Sequence, residues 1–370
     1  TLPSTRTFAG TFTNLSLGTI QKIGDDVRFN LQVRAPGWEA IEPVGSGQSA
    51  IFDSGRPARG ARSDAQRRVY HVRSKLIAGV PQIVLSTRFG NGWQPEEVVS
   101  AATVAAFDPA ITFLPGGDLA VAWTDVHGGK SRICLRVRIR GAWQPETSIS
   151  ETTGDSHHPA IGADNAGMVQ VAWIHELAGI RRISFERFAY ISPFGTPSPV
   201  TFAGENPDPP ALEVRPNGAS YLVWSDRAGL LPRLYFARFH PDSGISTRAP
   251  LTPTPAEAQL GVSVAVDGAG NLNVAWQVAG SGLNEMHYQR RPAAAPPAPP
   301  DTTLASSGNL LQNPVIACDD SGGVHLVYEN WGGPSPVPIY RLWTQARGWD
   351  YSGTEVANAG NGGFFPAVLA

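Results

Sequence analysis

Five short segments of this chain align one under another: Asp108-Pro109-Ala110-Ile111, His158-Pro159-Ala160-Ile161, Pro209-Pro210-Ala211-Leu212, Asn313-Pro314-Val315-Ile316 and Phe365-Pro366-Ala367-Val368. Pro57-Ala58 and Gly261-Val262 fit the same slot more loosely. The slots fall at 57, 109, 159, 210, 261, 314 and 366, at intervals of 50 to 53 residues. A fixed period of this length marks a chain built from one repeated supersecondary unit. Such a unit cannot bury its apolar surface alone and must stack on its neighbours.

Each unit continues in the same way. A tight turn follows the slot, as in Asp164-Asn165-Ala166-Gly167 and Asp267-Gly268-Ala269-Gly270, with residues that tolerate positive φ. Six residues after a turn glycine stands an aromatic: Trp123, Trp173, Trp224, Trp276 and Tyr328. The earliest unit places Arg73 there. A third strand then ends on Arg138, Arg187, Arg238 or Arg290, and a fourth often opens on Gly-Trp, as at Gly92-Trp93 and Gly348-Trp349. Four short strands per unit make a propeller blade. The expected fold is therefore all-β: a seven-bladed propeller of four-stranded antiparallel blades in one domain over 1–370.

The expected blades are 57–100, 107–150, 158–201, 209–252, 260–304 and 313–358, with a seventh shared between 1–45 and 364–370. In that shared blade Val27 to Arg34 is the third strand, Trp38 to Val44 the fourth, and Phe365 to Leu369 the innermost. Pro292 to Pro300 reads as a stiff surface insertion.

Composition agrees and excludes other classes. Glycine (40) and proline (32) interrupt nearly every window in which a long helix could form. A net charge of −2 lacks the basic excess of a nucleic-acid binder. No run of 18 apolar residues predicts a membrane-spanning helix. Two cysteines, Cys134 and Cys318, cannot build a disulfide framework or a four-thiolate metal site, and both read as small buried hydrophobes. No cofactor and no metal is expected. The chain opens on Thr1, not Met, and carries the sequon Asn14-Leu15-Ser16. Both features suit an exported protein, so a secreted or periplasmic location is the expectation.

With these motifs the chain resembles the sialidase-like group of seven-bladed β-propellers, over about Val27 to Ala370. That group includes lectin-type and lyase-type members, so the resemblance implies architecture more than activity. The Asp-box pattern Ser-x-Asp-x-Gly-x-Thr-Trp and a clear arginine triad are missing, which argues against a true sialidase.

Strand alternation sorts the candidate residues without a structure. The start of a blade's first strand and the end of its second lie on one face. That face receives Asp108 with Asp125, His157 and His158 with His175, Asp208 with Asp226, and Asn313 with Glu329. Arg73 comes from an earlier blade. The three histidines are the candidate catalytic bases, because imidazole titrates near neutrality. Asp108, Asp125, Asp208, Asp226, Asn313, Glu329 and Arg73 are candidate ligand-binding residues, since carboxylates, amides and guanidiniums hydrogen-bond sugar hydroxyls. Trp173 is a candidate stacking surface, although the tryptophans as a set read first as packing between blades. The face residues differ from blade to blade, which favours one asymmetric site over equal sites. The leading expectation is a propeller that binds a carbohydrate or cell-surface polymer. The alternatives are a polysaccharide lyase or glycoside hydrolase on the same face, and a protein-interaction scaffold.

Overall fold

The structure, a computed structural model, describes residues 15–23 and 26–33 as backbone. It also describes 61–355, apart from 65–67, 90–91, 102, 191–195, 202–203, 247, 253–255, 281, 293–300, 334–335 and 351–352. The chain divides into two units, Thr1–Pro43 and Val44–Ala370. In the first, Leu15–Ile23 pairs antiparallel with Asp26–Val33 to form a two-stranded sheet.

The second unit holds six antiparallel sheets, each a blade. Their first three strands are Ala61–Ser63, Val69–Ile77 and Val80–Phe89 in blade 1, and Ala105–Phe113, Leu119–His127 and Lys130–Ile139 in blade 2. Blade 3 uses Asp155–Ala163, Met168–Leu177 and Ile180–Ala189, and blade 4 uses Ala211–Val214, Ser220–Asp226 and Arg233–His240. Blade 5 uses Ala258–Val266, Leu272–Ala279 and Asn284–Arg291, and blade 6 uses Leu310–Cys318, Val324–Trp331 and Val337–Thr344. Among the described residues the fourth strand is two short pieces in blades 1, 2, 4 and 6, such as Gly92–Trp93 and Glu97–Val98, and one piece in blades 3 and 5, Ser198–Pro199 and Thr302–Ser307.

Among the described residues the number of blades is thus six, not seven. Asp26–Val33, expected as the third strand of a blade shared by the chain ends, is described in a sheet of two strands and not in a blade of four. Its partner is Leu15–Ile23, its neighbour in sequence. A hairpin between sequence neighbours closes only a short loop, so it forms at low entropic cost. Trp38 to Val44, the insertion from 293 to 300, and Phe365 to Leu369 lie outside the described residues, as does Asn14.

Five apolar clusters each join two consecutive blades, and the repeated aromatic sits in every one. Trp123 packs with Tyr70, Val72, Ile83 and Leu85 of blade 1, and Trp224 with Ile174, Ile183 and Phe185 of blade 3. The four repeat tryptophans are among the largest fully buried side chains. Arg62 of blade 1 and Glu213 of blade 4 act on one another although two blades separate them in sequence. Burial, partly offset by Arg62, pushes the Glu213 carboxyl up to about 7.

The tight turns are held by their own aspartates. Asp267 Oδ1 accepts from the Asn271 backbone N–H at 2.8 Å, and Oδ2 accepts from Arg290 Nη2 at 2.6 Å. Asp164 repeats the arrangement with Met168 N–H at 2.9 Å and Arg187 at 3.1 Å. These are the arginines that close the third strands, and here they tie the third strand to the turn. Burial works against the Asp267 carboxylate, but the bonds from Asn271 and Arg290 outweigh it and hold its pKa below the usual range. Its stabilisation is therefore complete above the unfolded carboxylate pKa and lost as pH falls through the folded one. Asp267→Ala is expected to cost about 2–3 kcal/mol at pH 7, because it orphans a buried turn N–H and a guanidinium. Denaturant unfolding at pH 7 and pH 3 checks this; an equal loss at both values contradicts it.

Candidate functional site

One rim of the six-blade unit gathers the starts of the first strands and the ends of the second. Phe107 pairs with Thr124, His157 with Ile174, and Gln312 with Glu329. At this point the ladder breaks in four blades. The register shifts between Phe107 and Ala110, His157 and Ala160, Leu260 and Ser263, and Gln312 and Val315. Each shift is a bulge carrying one left-handed residue: Asp108 (φ 50°), His158 (φ 56°), Gly261 (φ 56°) and Asn313 (φ 53°). Three of the four precede a proline, which cannot donate to the ladder. A non-glycine residue in this conformation costs about 1–3 kcal/mol and persists only where its surroundings hold it. Bulges of this kind re-aim a side chain away from the sheet alternation.

Between blades 2 and 3 the re-aimed side chains meet. His158 Nδ1 lies 2.9 Å from Asp108 Oδ2. The Thr124 hydroxyl donates to the same carboxylate oxygen at 3.2 Å and accepts from the His158 backbone N–H at 3.1 Å. The His157 ring stands edge-on to His158, with centroids 4.7 Å apart at 87°. Burial first, then the neighbouring His158 and Arg181, lower His157 to about 4, so its imidazole is neutral at pH 7. Its Nδ1 is buried without a hydrogen-bond partner. This pair is the chemically distinctive part of the rim.

His175 does not join it. The ring is 1% exposed and bonds Ser156 Oγ at 3.0 Å. It sits in a network around Glu151, which accepts from Ser184 Oγ at 2.6 Å and Trp173 Nε1 at 3.0 Å, and pairs with Arg182 at 3.3 Å. His157 pairs with Ile174, so its side chain and that of His175 leave opposite faces of the sheet. Trp173 is fully buried between blades 2 and 3 and offers no stacking surface to a ligand, which corrects its place among the binding candidates.

The other candidates spread around the rim. Asp208, 6% exposed, accepts from Arg227 Nε at 2.8 Å, while its Oδ2 is buried without a partner. Asp226 Oδ1 caps the backbone N–H groups of Asn206 (3.0 Å) and Ala228 (2.9 Å). Asn313 Nδ2 donates to Glu329 Oε2 at 3.0 Å, and the same oxygen accepts from Gln312 at 3.2 Å and Trp331 Nε1 at 2.9 Å. Glu329 is wholly buried, so its contact with a ligand would pass through Asn313. Arg73 is drawn to Glu96, which Lys75 also reaches at 2.6 Å. Asp125, Cys134 and Glu146 bring donor atoms within 4.8 Å of one another, the trio among the described residues whose geometry suits a cation. Burial and the adjacent Asp125 push the Cys134 thiol up, and it donates to Asp125 at 3.4 Å. A metal would have to displace that proton.

The same rim carries exposed aliphatic tips on its hairpins: Leu76, Val126, Leu177, Ile180, Leu230 and Leu283. They are the fringe on which a protein-scaffold reading would rely. Two groups escaped the sequence reading. Arg62 and Glu213 occupy first-strand positions where the other blades have Thr112, Gly162, Ala265 and Ala317, and a charge in that column was the available signal. Tyr235 lies on the third strand of blade 4 and Arg248 between the two pieces of its fourth, where the repeat has no fixed residue.

No protein-family model and no curated protein matches this chain. Solved structures match its fold. A protein of unknown function from Dyadobacter fermentans superposes with a TM-score of 0.54 at 12% identity, over 80% of this chain and 98% of that one. An ulvan lyase of a new polysaccharide lyase family, bound to -[GlcA(1-4)Rha3S]-, gives 0.57 at 9% identity, over 84% and 86%. The intramolecular trans-sialidase from Ruminococcus gnavus, in complex with oseltamivir carboxylate, gives 0.51 at 9%, over 78% and 93%. The fold is that of sialidase and polysaccharide-lyase propellers, and at these identities the likeness is one of fold.

Proposed function

We propose that this protein binds an extended carbohydrate across the bulged rim, centred on Asp108, His157 and His158. The observation that carries the reading is the three left-handed bulges at Asp108, His158 and Asn313, which spend conformational energy to present different polar side chains from blade to blade. Strain of this kind at one rim is characteristic of ligand sites. The choice of carbohydrate is supported by the folds it shares with an ulvan lyase and a trans-sialidase. Titration calorimetry against uronate-containing, sulfated and neutral polysaccharides tests it. At least one class is expected to bind, and Asp108→Ala to weaken that binding about tenfold by releasing His158. Failure of every class to bind removes the reading.

One observation favours a second reading, a lyase or hydrolase: His157 is a neutral imidazole with a buried, unpartnered Nδ1 at the rim. As a general base it would keep the reaction running to unusually low pH, with the rate falling only as pH drops through about 4. His157→Ala would then reduce turnover by ~10²–10⁴-fold. Assays for unsaturated uronate and for new reducing ends on the bound polymer decide between the two readings. Absence of either product leaves binding alone.

A further inference from the structure

Blade 4 departs from the repeat on both sides of one cavity. The first strands of blades 2, 3, 5 and 6 are nine residues long, but that of blade 4 is four, Ala211–Val214. Pro207, Pro209 and Pro210 explain the loss, because each removes a ladder donor. All that remains of the missing pairing is a bridge from Pro207 to Asp226. Across from it, the link between the second and third strands is two residues in blades 2 and 3, but runs from Arg227 to Pro232 in blade 4. Between the segment that leads to the shortened strand, at Gly204 and Glu205, and the lengthened link lies a cavity of about 370 Å³.

Its lining includes Glu205, Asp226, Leu231, Arg233, Tyr235 and Arg248. These groups are held in place before any ligand arrives. Arg248 pairs with Glu205 and lies over the Tyr235 ring, 4.1 Å from its centroid. Its Nη1 is 3.8 Å from Asp226 Oδ2, too far for a hydrogen bond. Arg233 Nε and Nη2 both donate to the Thr252 carbonyl, at 3.2 and 2.7 Å. The Tyr235 ring also stacks near Trp224, with centroids 6.3 Å apart.

Two carboxylates and two guanidiniums bring the lining to a formal charge of zero. A simple anion or cation gains no net attraction there. A neutral polyol gains acceptors and charged donors at once, the combination that recognises vicinal hydroxyls. The volume is at the small end of the range for ligand sites, the scale of a single sugar unit and not of a polymer. Leu231, with the fully exposed Leu230 beside it, supplies an apolar edge for the C–H face of a ring.

We propose that this cavity is a second carbohydrate site, which takes one neutral pyranose unit and uses none of the bulged-rim residues. Saturation-transfer NMR on the whole protein tests it, with the methyl glycosides of glucose, galactose, mannose and xylose at about 10 mM. Transfer to at least one glycoside is expected. Ala228→Trp, which fills the cavity from an exposed position, is expected to weaken it at least about tenfold, the loss of roughly one hydrogen-bond pair. If that variant does not fold, Asp226→Asn is read on the same panel: its Oδ1 keeps both backbone caps while the second acceptor is lost. No transfer to any glycoside, or transfer undiminished in the folded variant, overturns the proposal.

Discussion

Trp224→Ala is expected to destabilise the protein by about 3–5 kcal/mol. The indole is fully buried and packs against Ile174, Ile183, Phe185 and Val200 of blade 3 and against Leu222 and Ala237 of its own blade. A cavity there lies between two sheets whose backbones are pinned by their own ladders, so little can collapse into it. Trp224 Nε1 is buried without a hydrogen-bond partner. Trp224→Phe should therefore cost much less than the alanine change, because it keeps most of the packing and removes an unpaired donor. Urea unfolding of the two variants measures the difference. A loss below about 1 kcal/mol in Trp224→Ala would show that the blade interface does not depend on this ring.

Glu329→Ala is expected to cost about 3 kcal/mol or more. One buried oxygen, Glu329 Oε2, accepts from Gln312, Asn313 and Trp331. Removing it leaves three donors unsatisfied, each at roughly 1 kcal/mol. The effect has a functional side, because the Asn313 bulge loses the partner that holds its left-handed conformation. Unfolding measurements should show the stability loss, and calorimetry should show weaker carbohydrate binding in the folded fraction. Unchanged stability would place the Glu329 network outside the fold's support.

Much of the architecture was legible in the residues. The spacing from a turn glycine to a tryptophan placed four indoles at the same point of four blades, and the structure buries all four between blades. Two of the arginines that close third strands meet turn aspartates, Arg187 with Asp164 and Arg290 with Asp267. Periodicity exposes such positions because stacking repeats imposes the same packing demand on every unit.

The number of blades was not legible. Val27 to Arg34 has a strand pattern that suits a blade, and no pattern tells a strand which neighbour it will take. The tertiary structure gives it the adjacent Leu15–Ile23. The site was half legible, for the same reason. The dipeptides Asp108-Pro109, His158-Pro159 and Asn313-Pro314 mark where the chain reaches the rim. Strand alternation, however, predicted side-chain directions for an unbroken ladder. The bulges break it, so His158 turns to Asp108 while His175 stays in the packing around Glu151. Local spacing determined the repeat, the turns and the buried aromatics, because those depend on short-range geometry repeated along the chain. That Asp108 meets His158 was decided only by tertiary structure, because the contact joins separate blades and a one-residue shift in register reverses every side chain.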